Sequence, residues 1–294
     1  MIKVKSFAIL LLFTFLNSSL KAAKPKPKDL ILNSINDRIR SIRGREPILG
    51  KLTKEDVQKL SLLHRELGDF YMKQKSSLLG AIAYRKAYSL NPSQSENKLR
   101  AGLAYAHTNQ LKLSYRMLAE FLQESTNETL KFQAEQELYK ICLALGENEN
   151  RLSLWTQAIE WYEKAMQYSN SPRNSLDLVD RIQTAYFKQG TFHYSQKHYL
   201  EAANNLRRAL SKNTRESLRA KIERLGVTLF LNAGKHFERM EEREEAIAYY
   251  TVIRDFLYKS SAVDYARQRL KALNSDEHFP MKSAPTWLIT TQSE

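Results

Sequence analysis

Histidine and cysteine side chains are the first candidates for chemistry, and the chain has six histidines and one cysteine. His193 and His198 stand five residues apart, a spacing that places them off a shared helical face. The sequence shows no His-Glu-x-x-His zinc motif, no phosphate-binding loop and no Gly-x-Ser-x-Gly nucleophile motif. Cys142 falls on an apolar stripe with Leu138 and Leu145, which indicates a buried side chain. We therefore expect no catalytic residues, no metal site and no cofactor.

The spacing of the glycines is the stronger signal. Five of the nine glycines are separated by 34, 44, 44 and 44 residues, and each precedes a small side chain by twelve residues and a bulky one by sixteen. Because glycine inside a helix costs about 1 kcal/mol relative to alanine, this register indicates positions where two helices pack closely. The glycines are Gly68, Gly102, Gly146, Gly190 and Gly234; the small residues are Gly80, Ser114, Ala158, Ala202 and Ala246; the bulky ones are Tyr84, Leu118, Tyr162, Leu206 and Tyr250.

The segment from 61 to 94 resembles a tetratricopeptide repeat. The stretch from 155 to 165 is similar to that family's second-helix consensus, and the resemblance covers about residues 61 to 273. It implies an all-α fold, an α-α superhelix in which five helical hairpins form a solenoid. The first unit carries Leu67, Gly68, Tyr71, Gly80, Tyr84, Ala87 and Pro92 at the family's spacing.

The later units are ten residues longer than the 34 residues of a standard unit. The additional residues fall within 128–139, 176–186 and 216–225, which show helical periodicity without a breaker. We therefore predict that the first helices of units three to five are longer by nearly three turns, about 15 Å. A separate small helix in each of these units is the alternative.

The resemblance also implies a binding surface, because certain first-helix positions of this family face the groove of the superhelix. The residue five positions after each of the five regularly spaced glycines is a cation in three units, a histidine in one and Ser195 in one. Tyr194 is next to Ser195 in the sequence. These residues predict an electropositive groove for an acidic or C-terminal peptide, whereas solvated surface charge is the alternative. The candidate groove residues are Arg65, Lys73, Arg100, His107, Arg151, Tyr194, Lys235 and Arg239.

The family's carboxylate clamp requires paired asparagines together with lysine and arginine side chains. The corresponding positions here include Asp69, Leu103, Glu147 and Thr191. The sequence therefore predicts that this clamp is absent.

Residues 1–22 predict a secretory signal peptide. Lys3 and Lys5 precede an apolar run over 7–16, and Ala22 is a small residue suited to cleavage. A ten-residue run spans about 15 Å as a helix, short of a hydrocarbon core of about 30 Å. We expect export to the periplasm or the bacterial cell envelope, and an uncleaved N-terminal anchor is the alternative.

Composition and periodicity divide the remaining chain into five segments. Proline and lysine alternate at its start, apolar residues at helical spacing follow, and polar residues with proline end it. We predict a basic linker over 23–29, N-terminal capping helices over 30–60, a repeat array over 61–258, a C-terminal capping helix over 259–273 and a disordered tail over 274–294.

The formal net charge of +14 favours acidic partners, and nucleic acid is not expected for an exported protein. Together these features predict a non-enzymatic scaffold or adaptor that binds a peptide or protein, expected to be acidic, on its concave surface. The alternative function is an electrostatic binding module for anionic glycan or lipid, with peripheral membrane contact. Such binding would weaken steeply as salt rises.

Overall fold

The computed structural model describes residues 26–45, 52–211, 214–257 and 261–275. Within these ranges, none of the helices is both long and apolar enough to cross a lipid bilayer. The predicted signal peptide, the start of the linker and most of the predicted tail lie outside the described residues. The helices of the described ranges are α1 (Pro27–Arg43), α2 (Lys54–Lys73), α3 (Ser77–Leu90), α4 (Glu96–His107), α5 (Leu111–Glu124), α6 (Glu128–Arg151), α7 (Trp155–Gln167), α8 (Pro172–Ser195), α9 (Tyr199–Arg208), α10 (Glu216–Arg239), α11 (Arg243–Phe256) and α12 (Ser261–Asn274).

Consecutive helices pair as hairpins, which confirms the predicted all-α fold of tetratricopeptide-like units. The five hairpins are α2–α3, α4–α5, α6–α7, α8–α9 and α10–α11, with α1 packed on α2 and α12 packed on α11. The first helices of hairpins three to five have 24 residues each, against 12 in α4. The longer first helices are therefore confirmed, and each is one continuous helix rather than two.

The N-terminal boundaries differ from the predicted ones. Helix α1 begins at Pro27, inside the segment predicted as a linker, because proline suits the first helical position and the Asp29 carboxylate accepts the Lys26 N–H at 3.2 Å. Helix α2 begins after Thr53, whose hydroxyl accepts the Asp56 N–H at 3.1 Å. With 20 residues, α2 continues from the predicted cap into the repeat array.

Each registered glycine lies against the bulky residue sixteen positions later. A Cβ atom placed on Gly68 or Gly146 would lie 2.5 Å from the ring of Tyr84 or Tyr162, inside van der Waals contact. The small residue at the intermediate position completes the close approach, since the Ser114 hydroxyl donates to the Gly102 carbonyl oxygen at 2.7 Å. The glycine register is thus a steric requirement of the hairpin interface.

The helices belong to two compact units, Met1–Ala134 and Glu135–Glu294, with the boundary inside α6. In unit 1 the apolar face of α1 packs through Ile35 and Ile39 on Leu60 and Leu63 of α2. In unit 2 the largest buried cluster joins α9 to α12 and includes Phe230. Side chains from successive helices thus fill a core between layers within each unit.

The five hairpin turns share a left-handed residue that glycine does not occupy. At each turn the residue seven positions after the registered glycine has φ between 58° and 63°. The next N–H donates back to the carbonyl oxygen five residues earlier, at 2.9 Å for Ser76 to Tyr71 and for Leu154 to Glu149. This is a Schellman motif, which ends a helix and satisfies its last carbonyl groups. The left-handed residues are Lys75, Asn109, Ser153, Lys197 and Glu241.

Replacing Lys197 by glycine is expected to stabilise the fold by about 0.5–1 kcal/mol, because a Cβ atom disfavours the left-handed conformation. Urea unfolding of the variant and of the unsubstituted chain measures the difference. Asn109→Gly is the matched control, and its gain should be smaller because asparagine already tolerates this conformation. Equal gains at the two positions would contradict this explanation.

Candidate functional site

The candidate cations five residues after the glycines lie at the hairpin turns. Lys73, His107, Arg151 and Arg239 are each the last residue of a first helix, as is Ser195, and all are exposed. A cation at a helix C-terminus interacts favourably with the helix dipole. These residues therefore mark one end of each first helix rather than a strip along it, and their role in partner binding stays a prediction.

The remaining candidates contact residues close to them in the fold. Arg100 Nη1 lies 3.0 Å from Asp69 Oδ1, and Lys235 Nζ lies 4.9 Å from the centroid of the Tyr265 ring. Tyr194 packs edge to face on the Tyr199 ring, with centroids 5.8 Å apart. Arg151 donates to the Asn148 side-chain oxygen. Two of the candidate groove residues, Arg239 and Lys235, lie one helical turn apart. They are joined by a hydrogen bond of 3.4 Å from Arg239 Nε to the Lys235 carbonyl oxygen.

Acidic residues near the glycines join one hairpin to the next. Asp69 Oδ1 accepts two hydrogen bonds, one from the guanidinium group of Arg100 in α4 and one, at 2.6 Å, from the hydroxyl of Tyr84. Burial raises the pKa of Tyr84, and the hydrogen bond to Asp69 raises it further. In unit 2, Glu147 Oε1 accepts Arg181 of α8 at 2.8 Å. Two positions where the clamp has asparagine therefore hold carboxylates that join neighbouring first helices.

The last such joint is buried. Glu238 of α10 forms an ion pair with Arg269 of α12, and their side chains are only 8% and 6% exposed. The Tyr250 hydroxyl donates to Glu238 Oε2 at 2.9 Å. Burial of the Tyr250 ring raises the pKa of its hydroxyl. The predicted C-terminal cap is thus attached to the fifth hairpin through charge as well as apolar contact.

Lys98 of α4 is a buried cation, 2% exposed. Its Nζ lies 2.7 Å from Glu124 Oε1 and 3.0 Å from Glu120 Oε2, and 4.3 Å from the centroid of the Tyr88 ring. Burial lowers the pKa of Lys98, but hydrogen bonds to Glu124, Tyr88 and Glu120 outweigh burial and raise it overall. Lys98 therefore stays charged and holds α4 to α5.

The histidine and cysteine expectations have different outcomes. The ring centroids of His193 and His198 are 6.0 Å apart, because the turn at the end of α8 folds His198 back towards the helix. They do not share a helical face, as predicted, because α8 ends at Ser195, but the turn brings their rings close together. Within the described ranges no group of three or more histidine, cysteine, aspartate or glutamate residues could hold a metal ion. Cys142 is fully buried as predicted, and burial raises the pKa of its thiol to about 12.

A polar pocket of about 400 Å³ lies in unit 1 between the first two inter-hairpin turns. Arg65, one of the predicted groove residues, enters it from the middle of α2. The pocket is lined by Arg65, Ser93, Gln94, Ser95, Glu96, Asn97, Glu124, Ser125, Thr126, Asn127 and Leu130.

Two further pockets adjoin in unit 2, with volumes of about 390 and 320 Å³. They lie on either side of α9, one against α7 and α8 and the other against α10 and α11, and both are lined by Asn204 and Arg208 of α9. We call the pair the Asn204 groove. The side-chain oxygen of Asn204 is buried and accepts no hydrogen bond from a described residue.

Neither Asn97 nor Asn204 was among the predicted site residues. An asparagine on a helix is usually exposed, and no spacing rule separates these two from the others. The signal is tertiary, since each has a buried oxygen without a donor beside a pocket. Such oxygens are suited to accept an N–H from a bound molecule.

Comparisons with known proteins gave solved structures with low similarity. No family model matches the chain, and no curated protein does. PilF of Pseudomonas aeruginosa is 15% identical over 83% of this chain and 100% of that chain, with a TM-score of 0.27. The MamA protein is 15% identical over 76% and 99%, with a TM-score of 0.27. YrrB, described as a tetratricopeptide protein with an unusual peptide-binding site, is 14% identical over 71% and 92%, again with 0.27.

Proposed function

We propose that this chain is a scaffold or adaptor of the bacterial cell envelope that binds a peptide or protein partner and catalyses no reaction. Repeated helical hairpins with pockets on either side of α9 support a role in binding. Export is proposed from the sequence pattern of residues 1–22, which lie outside the described residues.

The observation that carries this proposal is the Asn204 groove. An extended peptide crossing α9 would enter both adjoining pockets, because Asn204 and Arg208 line each of them. A main-chain N–H of that peptide would donate to the buried Asn204 oxygen, which lacks a donor among the described residues. We therefore place the partner on the second helices, and the concave surface implied by the family resemblance is the competing site.

The lining of the groove indicates the chemistry of the partner. Tyr186 and Tyr249 lie on either side of α9, and the guanidinium groups of Arg208 and Arg207 already lie over their rings, 5.8 and 4.8 Å from the centroids. Arg207 is paired with Glu245 at 3.3 Å, so carboxylates exceed unpaired cations in the lining. This balance favours a partner segment with lysine or arginine, in contrast to the acidic partner expected from the net charge. The carboxylates are Glu160, Glu163, Glu201, Glu242 and Glu245.

Site-specific photo-crosslinking in the native envelope tests this placement. A photoreactive residue at Glu160 or Glu201 should capture the partner, whereas one at Lys73 should not. Asn204→Leu should reduce capture about tenfold, since the main-chain bond is lost. Asn97→Leu is the matched control, because it makes the same change at a buried asparagine oxygen in unit 1.

Charge reversal separates the two candidate surfaces. Reversing Lys73, Arg151 and Arg239 together should leave capture unchanged while helicity stays intact. Loss of capture in that triple variant, with full capture by Asn204→Leu, would move the partner site to the first-helix ends and refute the groove.

A further inference from the structure

The polar pocket of unit 1 contains a buried side chain with an unmet acceptor. Asn97 is only 1% exposed, and its Nδ2 donates to Gln94 Oε1 at 3.3 Å. Its Oδ1 accepts no hydrogen bond from any described residue. A buried acceptor without a donor costs about 1–3 kcal/mol, so a donor supplied by a bound molecule would be stabilising.

The same pocket contains a cation without an ion pair. Arg65 is half-buried on α2 and forms no ion pair within the described ranges, whereas Arg100, a cation of the next first helix, forms an ion pair with Asp69. The guanidinium group of arginine presents parallel N–H donors that match the two oxygens of a carboxylate. The N-terminus of α4 lines the pocket as well, and its partial positive charge also favours an anion.

Acceptors for a cation lie in the same lining. Glu96 forms no ion pair with a described residue, while Glu124 already accepts Lys98 at 2.7 Å. Asn97 Oδ1 and the Glu96 carboxylate are thus available to an ammonium group, which has three N–H donors. The pocket therefore combines one arginine for an anion with neutral and anionic acceptors for a cation.

We propose that this pocket binds a small zwitterion of the α-amino acid class. The carboxylate pairs with Arg65, and the ammonium donates to Asn97 Oδ1 and to Glu96. A pocket of about 400 Å³ is large enough for one amino acid. Leu130 is its one aliphatic lining residue, so the ligand carries a polar or short side chain. This site is separate from the Asn204 groove, and the failure of either proposal leaves the other intact.

Calorimetric titration of the full chain with each free L-amino acid, at up to about 10 mM, tests the proposal. At least one polar or short amino acid should bind saturably. Its N-acetyl derivative and its amide should each bind about tenfold more weakly, because each lacks one of the two charges. Binding should also shift the side-chain amide resonance of Asn97 in the unsubstituted chain.

Three variants complete the test. Arg65→Gln and Asn97→Leu should each weaken binding about tenfold, whereas Arg100→Gln, with the same charge change outside the pocket, should leave it unchanged. Without ligand, Asn97→Leu should melt at the same temperature or higher, since the unmet acceptor is gone. The proposal is overturned if no amino acid binds, if both pocket variants bind normally, or if only peptides bind.

Discussion

Replacing Glu238 by leucine should lower the free energy of unfolding by about 3–5 kcal/mol, because Arg269 then stays buried without its carboxylate. The two side chains are 8% and 6% exposed, so water cannot replace the lost partner without a structural change. The Tyr250 hydroxyl loses its acceptor in the same substitution. Urea unfolding followed by circular dichroism measures the loss, and α12 should be the first helix to lose protection from hydrogen exchange.

The double variant Glu238→Leu/Arg269→Met distinguishes a pairwise effect from general disruption. Removing both charges replaces the buried ion pair by apolar contact, and such a replacement often leaves the free energy of unfolding unchanged. Most of the lost stability should therefore return. If the double variant is instead as unstable as the sum of the two single variants, the ion pair does not account for the effect.

Replacing Gly146 by alanine should destabilise the chain by about 1–3 kcal/mol, although alanine is the better helix former. The new Cβ would lie 2.5 Å from the Tyr162 ring, and Tyr162 is 1% exposed and confined by the core. Gly190→Ala is the matched control, because its Cβ would lie 3.0 Å from a Leu206 methyl group. At position 190 the helix propensity of alanine offsets the crowding, so the free energy of unfolding should change by no more than about 1 kcal/mol. Thermal unfolding of the two variants makes the comparison.

A second substitution tests whether the tyrosine ring is the cause. Tyr162→Ala removes the ring that a Cβ atom on Gly146 would meet at 2.5 Å. In that background Gly146→Ala should be less costly than in the unsubstituted chain. An undiminished cost would mean that the glycine is required by something other than the ring.

Several features could be predicted because they depend on local sterics or on periodicity. The registered glycines lie against their bulky partners, and the 44-residue periods contain single long first helices. The apolar environment of Cys142 followed from helical spacing alone. Each of these predictions depends only on the types of residues that are three to five positions apart or one hairpin apart in the sequence.

Other features depend on where chain turns bring distant groups. His198 approaches His193 because a left-handed residue reverses the chain at Lys197, a conformation usually associated with glycine. Arg100 was predicted as a groove cation, yet its charge is matched by Asp69 of the preceding hairpin. Contacts between groups on different helices or across a turn depend on how the hairpins fold and stack. The spacing of residues within one helix does not reveal them.

The sequence by itself determined the helical hairpins and their number, because the absence of a side chain at a repeated position is a local steric property. The tertiary structure alone decided which polar groups are buried without partners and which charges are already paired. Asn97 and Asn204 look like ordinary surface asparagines until neighbouring hairpins enclose their oxygens. Burial and pairing depend on every element around a residue, and for that reason both candidate pockets became visible only in the folded chain.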